Sequence, residues 1–154
     1  MLAKAQTVPA LCWLGVPEAA VAHDFEAAST WAQERAKADY FWSKQAICAY
    51  VARQAFPLLK EGIRINGICP GPTDTPLARA NKELWLGFGS DYRGEAGVEP
   101  STPIEQAYPL VFLCSDAAAA ITGITLISDA GYMSSGVTGS FAEATAAANF
   151  LLGR

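Results

Sequence analysis

The chain has 154 residues with a formal net charge of −4; 51% are hydrophobic and 17% charged. That length suits one domain with a real core, and the apolar excess suggests strands buried on both faces or surfaces that expect a partner. No Lys/Arg cluster gives the footprint of a nucleic-acid binder, no run of about 18 apolar residues suggests a membrane span, and four scattered cysteines beside one histidine fit reduced thiols in a cytoplasmic protein better than a zinc site.

Residues 1–23 are apolar and irregular, since Pro9, Gly15 and Pro17 prevent a long helix. Lys4, the apolar stretch after it and Ala19-Ala20-Val21-Ala22 loosely imitate a signal peptide. Pro9 inside that stretch and Glu18 before the cleavage position weigh against it. His23 has no evident partner and reads as a surface residue. Residues 24–39, rich in Ala, Glu, Gln and Lys, predict a helix or two capped by Asp24.

A longer helix is predicted over 40–59. Its buried face is Ala46, Ile47, Tyr50, Val51, Ala55 and Leu58, with Gly62 as terminator. Residues 63–69 (IRINGIC) read as a strand bounded by Gly62 and Pro70. Three prolines in Pro70-Gly71-Pro72-Thr73-Asp74-Thr75-Pro76 fix a rigid, non-helical loop. Residues 77–100 suggest short helices over a site, with Trp85, Phe88 and Tyr92 either lining an apolar pocket or packing in a core. Thr102-Pro103-Ile104-Glu105 carries an N-cap, a proline at the first helical position and a capping-box glutamate, so a helix should run to about Cys114. Residues 115–122 turn, 124–128 read as a second buried strand, and the small-residue tail holds a weak helical stretch near 143–152. Helix, strand, loop, helix, strand in this order implies an α/β fold with a parallel sheet covered by helices. Ligands of such sheets bind outside the carboxyl ends of the strands, where the Pro70–Pro76 loop falls.

Within this frame Tyr40 and Lys44, four apart at the start of the 40–59 helix, share one face. An ammonium beside a phenol favours the phenolate, and a phenol so tuned can exchange a proton near neutral pH. The alternative is a packed tyrosine and a solvated lysine at a chance spacing. For Thr73 and Thr75 the residues alone favour a self-satisfied turn.

The ordered series Tyr40-x-x-Ser43-Lys44-x-Ala46, Gly62-Ile63-Arg64-Ile65-Asn66, the Pro70–Pro76 loop, Ser115-Asp116-Ala117-Ala118, Ile121-Thr122-Gly123 and Asp129-Ala130-Gly131 closely resembles the C-terminal half of a short-chain dehydrogenase/reductase. The resemblance covers roughly residues 38–132 and implies the C-terminal portion of a doubly wound Rossmann-type sheet. It makes residues 1–154 a single partial dinucleotide-binding domain, with 1–39 as lead-in and 77–100 as the substrate-covering segment. In the family a tyrosine at the position of Tyr40 is the general acid/base on the substrate oxygen. A lysine like Lys44 tunes it and hydrogen-bonds the nicotinamide ribose. Pro70, Gly71, Pro72, Thr73 and Thr75 match the loop that runs beside the nicotinamide of NAD or NADP.

The glycine-rich turn that seats the family's pyrophosphate has no counterpart here, so the resemblance implies that roughly the first half of a family domain is not encoded in this chain. The usual serine before the tyrosine is also missing. In a subset with a long insertion it lies in a Ser-Val-Ala-Gly-like turn followed by tryptophan. Thr7-Val8-Pro9-Ala10-Leu11-Cys12-Trp13 looks similar, with Thr7 at the serine position. That subset resembles hydroxysteroid and coniferyl-alcohol dehydrogenases. It therefore implies a bulky cyclic or aromatic alcohol as substrate, and a homodimer or homotetramer through the 40–59 helix. The alternatives are an inactive remnant of the fold or an interaction module.

Overall fold

A computed structural model of the chain describes residues 25–34 and 40–151. The expectations for residues 1–23, including those for Thr7, Cys12 and His23, and the cap at Asp24 lie outside the described residues.

Helix α1 (Phe25–Glu34) turns Ala28 and Ala32, one turn apart, into the core, and its Trp31 stacks on Trp42 with ring centroids 5.6 Å apart. Helix α2 (Tyr40–Lys60) follows the predicted span. Its predicted buried face is only partly covered. Val51 is buried, but Ile47, one turn earlier, is 55% exposed. The sheet is short and reaches the second half of α2, where Val51 Cγ2 packs beside Gly67. The C-terminus closes at Gly62, whose amide donates to Leu59 O at 3.0 Å while Ile63 N donates to Leu58 O at 2.9 Å.

Strand β1 (Gly67–Pro70) is shorter and later than the predicted 63–69. The reason lies in two side chains. Arg64 sends Nη1 to Leu113 O (2.7 Å) and Ile121 O (3.2 Å) and Nη2 to Ser115 O (3.1 Å), and Asn66 Nδ2 donates to Ile121 O at 2.9 Å. Residues 63–66 therefore meet the 113–123 segment mainly through side chains, with one backbone bond, Gly123 N to Ile65 O at 2.7 Å, ahead of the ladder. The ladder begins at Gly67↔Thr125 and ends at Pro70↔Ser128, parallel, with β2 (Thr125–Ser128). Gly123 (φ +77°) precedes β2 at a point where a Cβ would lie 2.6 Å from Ala55 Cβ, so α2 and this turn approach as closely as backbone allows.

Between the strands lie α3 (Pro76–Ala80), α4 (Lys82–Trp85), α5 (Ser90–Ala96) and α6 (Pro103–Cys114). The loop expected through Pro76 stops one residue short, because Thr75 caps α3: its Oγ1 accepts from Ala78 N at 3.1 Å. The predicted capping box on α6 forms in full, with Thr102 N donating to Glu105 Oε2 (2.7 Å) and Glu105 N to Thr102 Oγ1 (3.3 Å). Gln106 moors the start of α6 to the sheet, Nε2 donating to Ser101 Oγ (2.9 Å) and Ser128 O (3.1 Å). After a 3₁₀ turn (Asp116–Ala118) and β2, the tail forms α7 (Tyr132–Thr138), a second 3₁₀ turn (Ala142–Ala144) and α8 (Thr145–Leu151).

The described core is built largely of alanines (Ala118, Ala144, Ala148), and no large side chain in it is fully buried. Large apolar groups stand outside, among them Phe56 on α2 and Tyr108 and Val111 on α6, where the apolar excess of the composition is found. No helix among the described residues is long and apolar enough to cross a membrane.

Candidate functional site

Tyr40 opens α2, and Ser43 Oγ holds this first turn by donating to Tyr40 O at 2.6 Å. Helical spacing brings Lys44 back over Tyr40, its Nζ 5.0 Å from the ring centroid. The ammonium thus lies over the ring face. Trp85, the last residue of α4, meets the same ring edge-on at 5.1 Å and 68°. Tyr40 itself is 52% exposed.

The Pro70–Pro76 loop leaves the carboxyl end of β1. Gly71 N donates to Ser128 O at 2.9 Å, and a Cβ on Gly71 would lie 2.9 Å from Asp129 Cα, so only glycine lets the two strand ends stay together. Thr73 Oγ1 donates to Gly71 O at 3.0 Å and lies 3.1 Å from Ser101 Oγ. Thr75 Oγ1 acts as acceptor in its cap and keeps its own O–H as a donor. Asp74 is held well below the usual carboxylate range by its hydrogen bonds to Arg79, at 2.6 and 2.7 Å.

A cavity of about 240 Å³ lies beside the carboxyl ends of β1 and β2, walled by Cys69, Gly71, Phe88, Tyr92, Tyr132 and Met133 among others. Burial, with smaller contributions from Cys48 and Asp129, pushes the Cys69 thiol up, so it faces the cavity as a neutral group. Of the predicted site residues, Tyr40 and Lys44 come together, and Pro70, Gly71 and Pro72 line the cavity. Tyr40, Lys44, Thr73 and Thr75 do not line it. The three aromatics of 77–100 divide: Trp85 goes to Tyr40, Phe88 and Tyr92 to the cavity.

Sequence reasoning missed the part played by Asp129, whose carboxylate accepts from Gly131 N (2.9 Å) and Met133 N (2.8 Å) and starts α7. An aspartate two residues before a glycine was the available signal. It also missed Arg93, which binds Phe88 O at 2.6 Å and Leu86 O, and for which the sequence carries no signal. No group of three or more His, Cys, Asp or Glu side chains among the described residues could hold a metal ion.

The Lys44 ammonium and the Thr75 O–H are donors of the kind that ribose and phosphate oxygens accept, and the glycine-rich turn for the pyrophosphate of a nicotinamide cofactor is not among the described residues.

The family model described as enoyl-(acyl carrier protein) reductase matches residues 19–133. A glucose and ribitol dehydrogenase homolog of Oryza sativa subsp. japonica is 41% identical over 101 residues, 64% of this chain and 32% of that protein. The NADPH-dependent aldehyde reductase 1, chloroplastic, of Arabidopsis thaliana is 38% identical over 96 residues, 60% of this chain and 32% of the relative. The chain thus spans about a third of the length of these curated relatives. The NADH complex of the 3-alpha-hydroxysteroid dehydrogenase from Pseudomonas sp. B-0831 superposes with a TM-score of 0.59 over 87% of this chain and 51% of that one; at 24% identity it shows the fold. With the family match running through α2, both strands and the Asp129 turn, the chain belongs to the short-chain dehydrogenase/reductase family.

Proposed function

We propose that this chain carries the proton-transfer half of an NAD- or NADP-dependent oxidoreductase that interconverts an alcohol and its carbonyl compound. The observation that carries the reading is the Tyr40–Lys44 pair at the exposed start of α2. Tyr40 Oη exchanges the proton on the substrate oxygen, and the Lys44 ammonium stabilises the phenolate while the proton is away. Lys44 also donates to the nicotinamide ribose, and the Pro70–Pro72 turn with Thr73 and Thr75 runs beside the ring. When bound, the cofactor supplies or accepts the hydride. A preorganised loop with small hydroxyl side chains suits this role because little entropy is lost on binding. Thr7 takes the place of a substrate-polarising serine. Residues 77–100 cover the substrate, a bulky cyclic or aromatic alcohol, and Trp85 on Tyr40 supports that placement.

The assembly in this reading is a cytoplasmic homodimer or homotetramer through α2, whose exposed Ile47, Phe56 and Leu59 suit burial by a second copy. Residues 1–154 form a single partial domain. The test is titration of the purified chain with NADH and NADPH, followed by nicotinamide fluorescence. Saturable binding weakened by Lys44→Ala supports the reading, and absence of saturable binding removes the claim that this chain works on its own.

A further inference from the structure

The covering segment contains three helices of five, four and seven residues, too short to hold themselves by internal hydrogen bonds. What holds its second half is a chain of aromatic rings that ends in the C-terminal tail. Phe88 meets Tyr132 edge-on at 5.2 Å, Tyr132 meets Tyr92 at 5.4 Å, and Tyr92 meets Phe141 at 5.3 Å. Tyr92 Oη adds a hydrogen bond to Ala130 O at 2.9 Å. The tail is the fixed side of this contact. Asp129 starts α7 directly from the end of β2, and the buried Ala144 of the second 3₁₀ turn and Ala148 of α8 close on Gly136 of α7, where an added Cβ would meet both. From α5 the link continues through Arg93, which binds the carbonyls of Phe88 and Leu86. Leu86 is buried and directly follows Trp85, whose ring lies on Tyr40.

We infer that the tail residues 132–141 anchor the substrate-covering segment, and that Tyr132 is a positioning residue which sets where Trp85 lies against Tyr40. The inference rests on the reading of Tyr40 as the proton-exchanging group, since only then does the position of Trp85 shape access to chemistry. Tyr132 serves through its ring: it makes two of the three edge-to-face contacts.

The test compares Tyr132→Ala and Tyr132→Phe in the full chain by amide hydrogen exchange and by the indole N–H resonance of Trp85, with Tyr40→Leu as spectral reference. In Tyr132→Ala, exchange over residues 82–96 rises about tenfold or more relative to α6, the size expected for losing two ring pairs. The Trp85 resonance moves toward its position in Tyr40→Leu. Tyr132→Phe keeps both ring contacts and behaves like the parent chain. Unchanged exchange and an unchanged Trp85 resonance in a folded Tyr132→Ala overturn the inference, as does a Tyr132→Phe variant as altered as the alanine. If Tyr132→Ala does not fold, Phe141→Ala, which removes the last ring, is read by the same two signals and decides. Neither signal needs turnover, so an anchor that holds in a chain without hydride transfer refutes only the reading of Tyr40.

Discussion

Gly71→Ala puts the closest backbone approach of the candidate cofactor loop to a direct test. The added Cβ would lie 2.9 Å from Asp129 Cα and 3.0 Å from Asp129 Cβ, against an ordinary carbon–carbon separation of about 3.5–4.0 Å. Half an ångström or more must come from backbone on both sides, because neither contact is the end of a flexible side chain. The movement lengthens the Gly71 N–Ser128 O bond and drags the carboxylate that starts α7. Overpacking of this kind costs about 1–3 kcal/mol and a weakened hydrogen bond about 1 more. A total of about 2–4 kcal/mol lowers Tm by roughly 4–16 °C in a chain of this length. Gly94→Ala is the control: nothing lies within 4 Å of its Cβ position in α5, so relief of helical glycine should stabilise by about 0.5–1 kcal/mol. Urea unfolding followed by far-UV circular dichroism measures both. A neutral Gly71→Ala beside a stabilising Gly94→Ala would refute the close-approach argument and free the loop's glycine for another explanation.

Arg64→Met should destabilise by about 1–3 kcal/mol in the same assay, since it takes the donor at 2.7 Å from Leu113 O, while Ser115 O keeps Ala118 N and Ile121 O keeps Asn66 Nδ2; Arg79→Met, whose pair with Asp74 is exposed, should leave the midpoint where it was. Cys69 keeps its proton to higher pH when folded than when unfolded, so its contribution is complete below the ordinary thiol value of 9.0 and is lost as pH rises through the folded value. Tyr132, raised by burial and then by Asp129, acts in the same direction above 10.0. Stability measured against pH should therefore fall on the alkaline side, less steeply in Cys69→Val. Glu105 is lowered by its hydrogen bonds from Thr102, so the stability it lends is present above 4.5 and lost as pH falls; Glu105→Gln should flatten that acid limb.

Where the controlling interactions are local, the chain announces them. The Thr102 capping box and the Gly62 terminator are read from four or five consecutive residues, and both form as expected. Thr75-Pro76 carries the same threonine–proline signature as Thr102-Pro103, but lacks the glutamate three residues on, and three prolines in seven residues pointed to a loop instead. The start of β1 depends on Arg64 and Asn66 finding carbonyls about fifty residues away, which no periodicity encodes. Helix α7 escaped notice because Ser134, Ser135 and Gly136 are poor helix formers; Asp129 and packing against α8 hold it. At the candidate site the Tyr40–Lys44 contact follows from helical spacing alone, whereas the division of Trp85 from Phe88 and Tyr92 is a tertiary result.

The proposed role of Tyr40 is tested by the rate of NADH or NADPH formation from a bulky cyclic or aromatic alcohol, in the parent chain and in Tyr40→Phe. Saturable turnover is expected in the parent, with a loss of about 10²–10⁴-fold in kcat for Tyr40→Phe and cofactor binding unchanged, the share a positioned acid/base supplies. A Tyr40→Phe variant that turns over as fast as its parent would contradict that role.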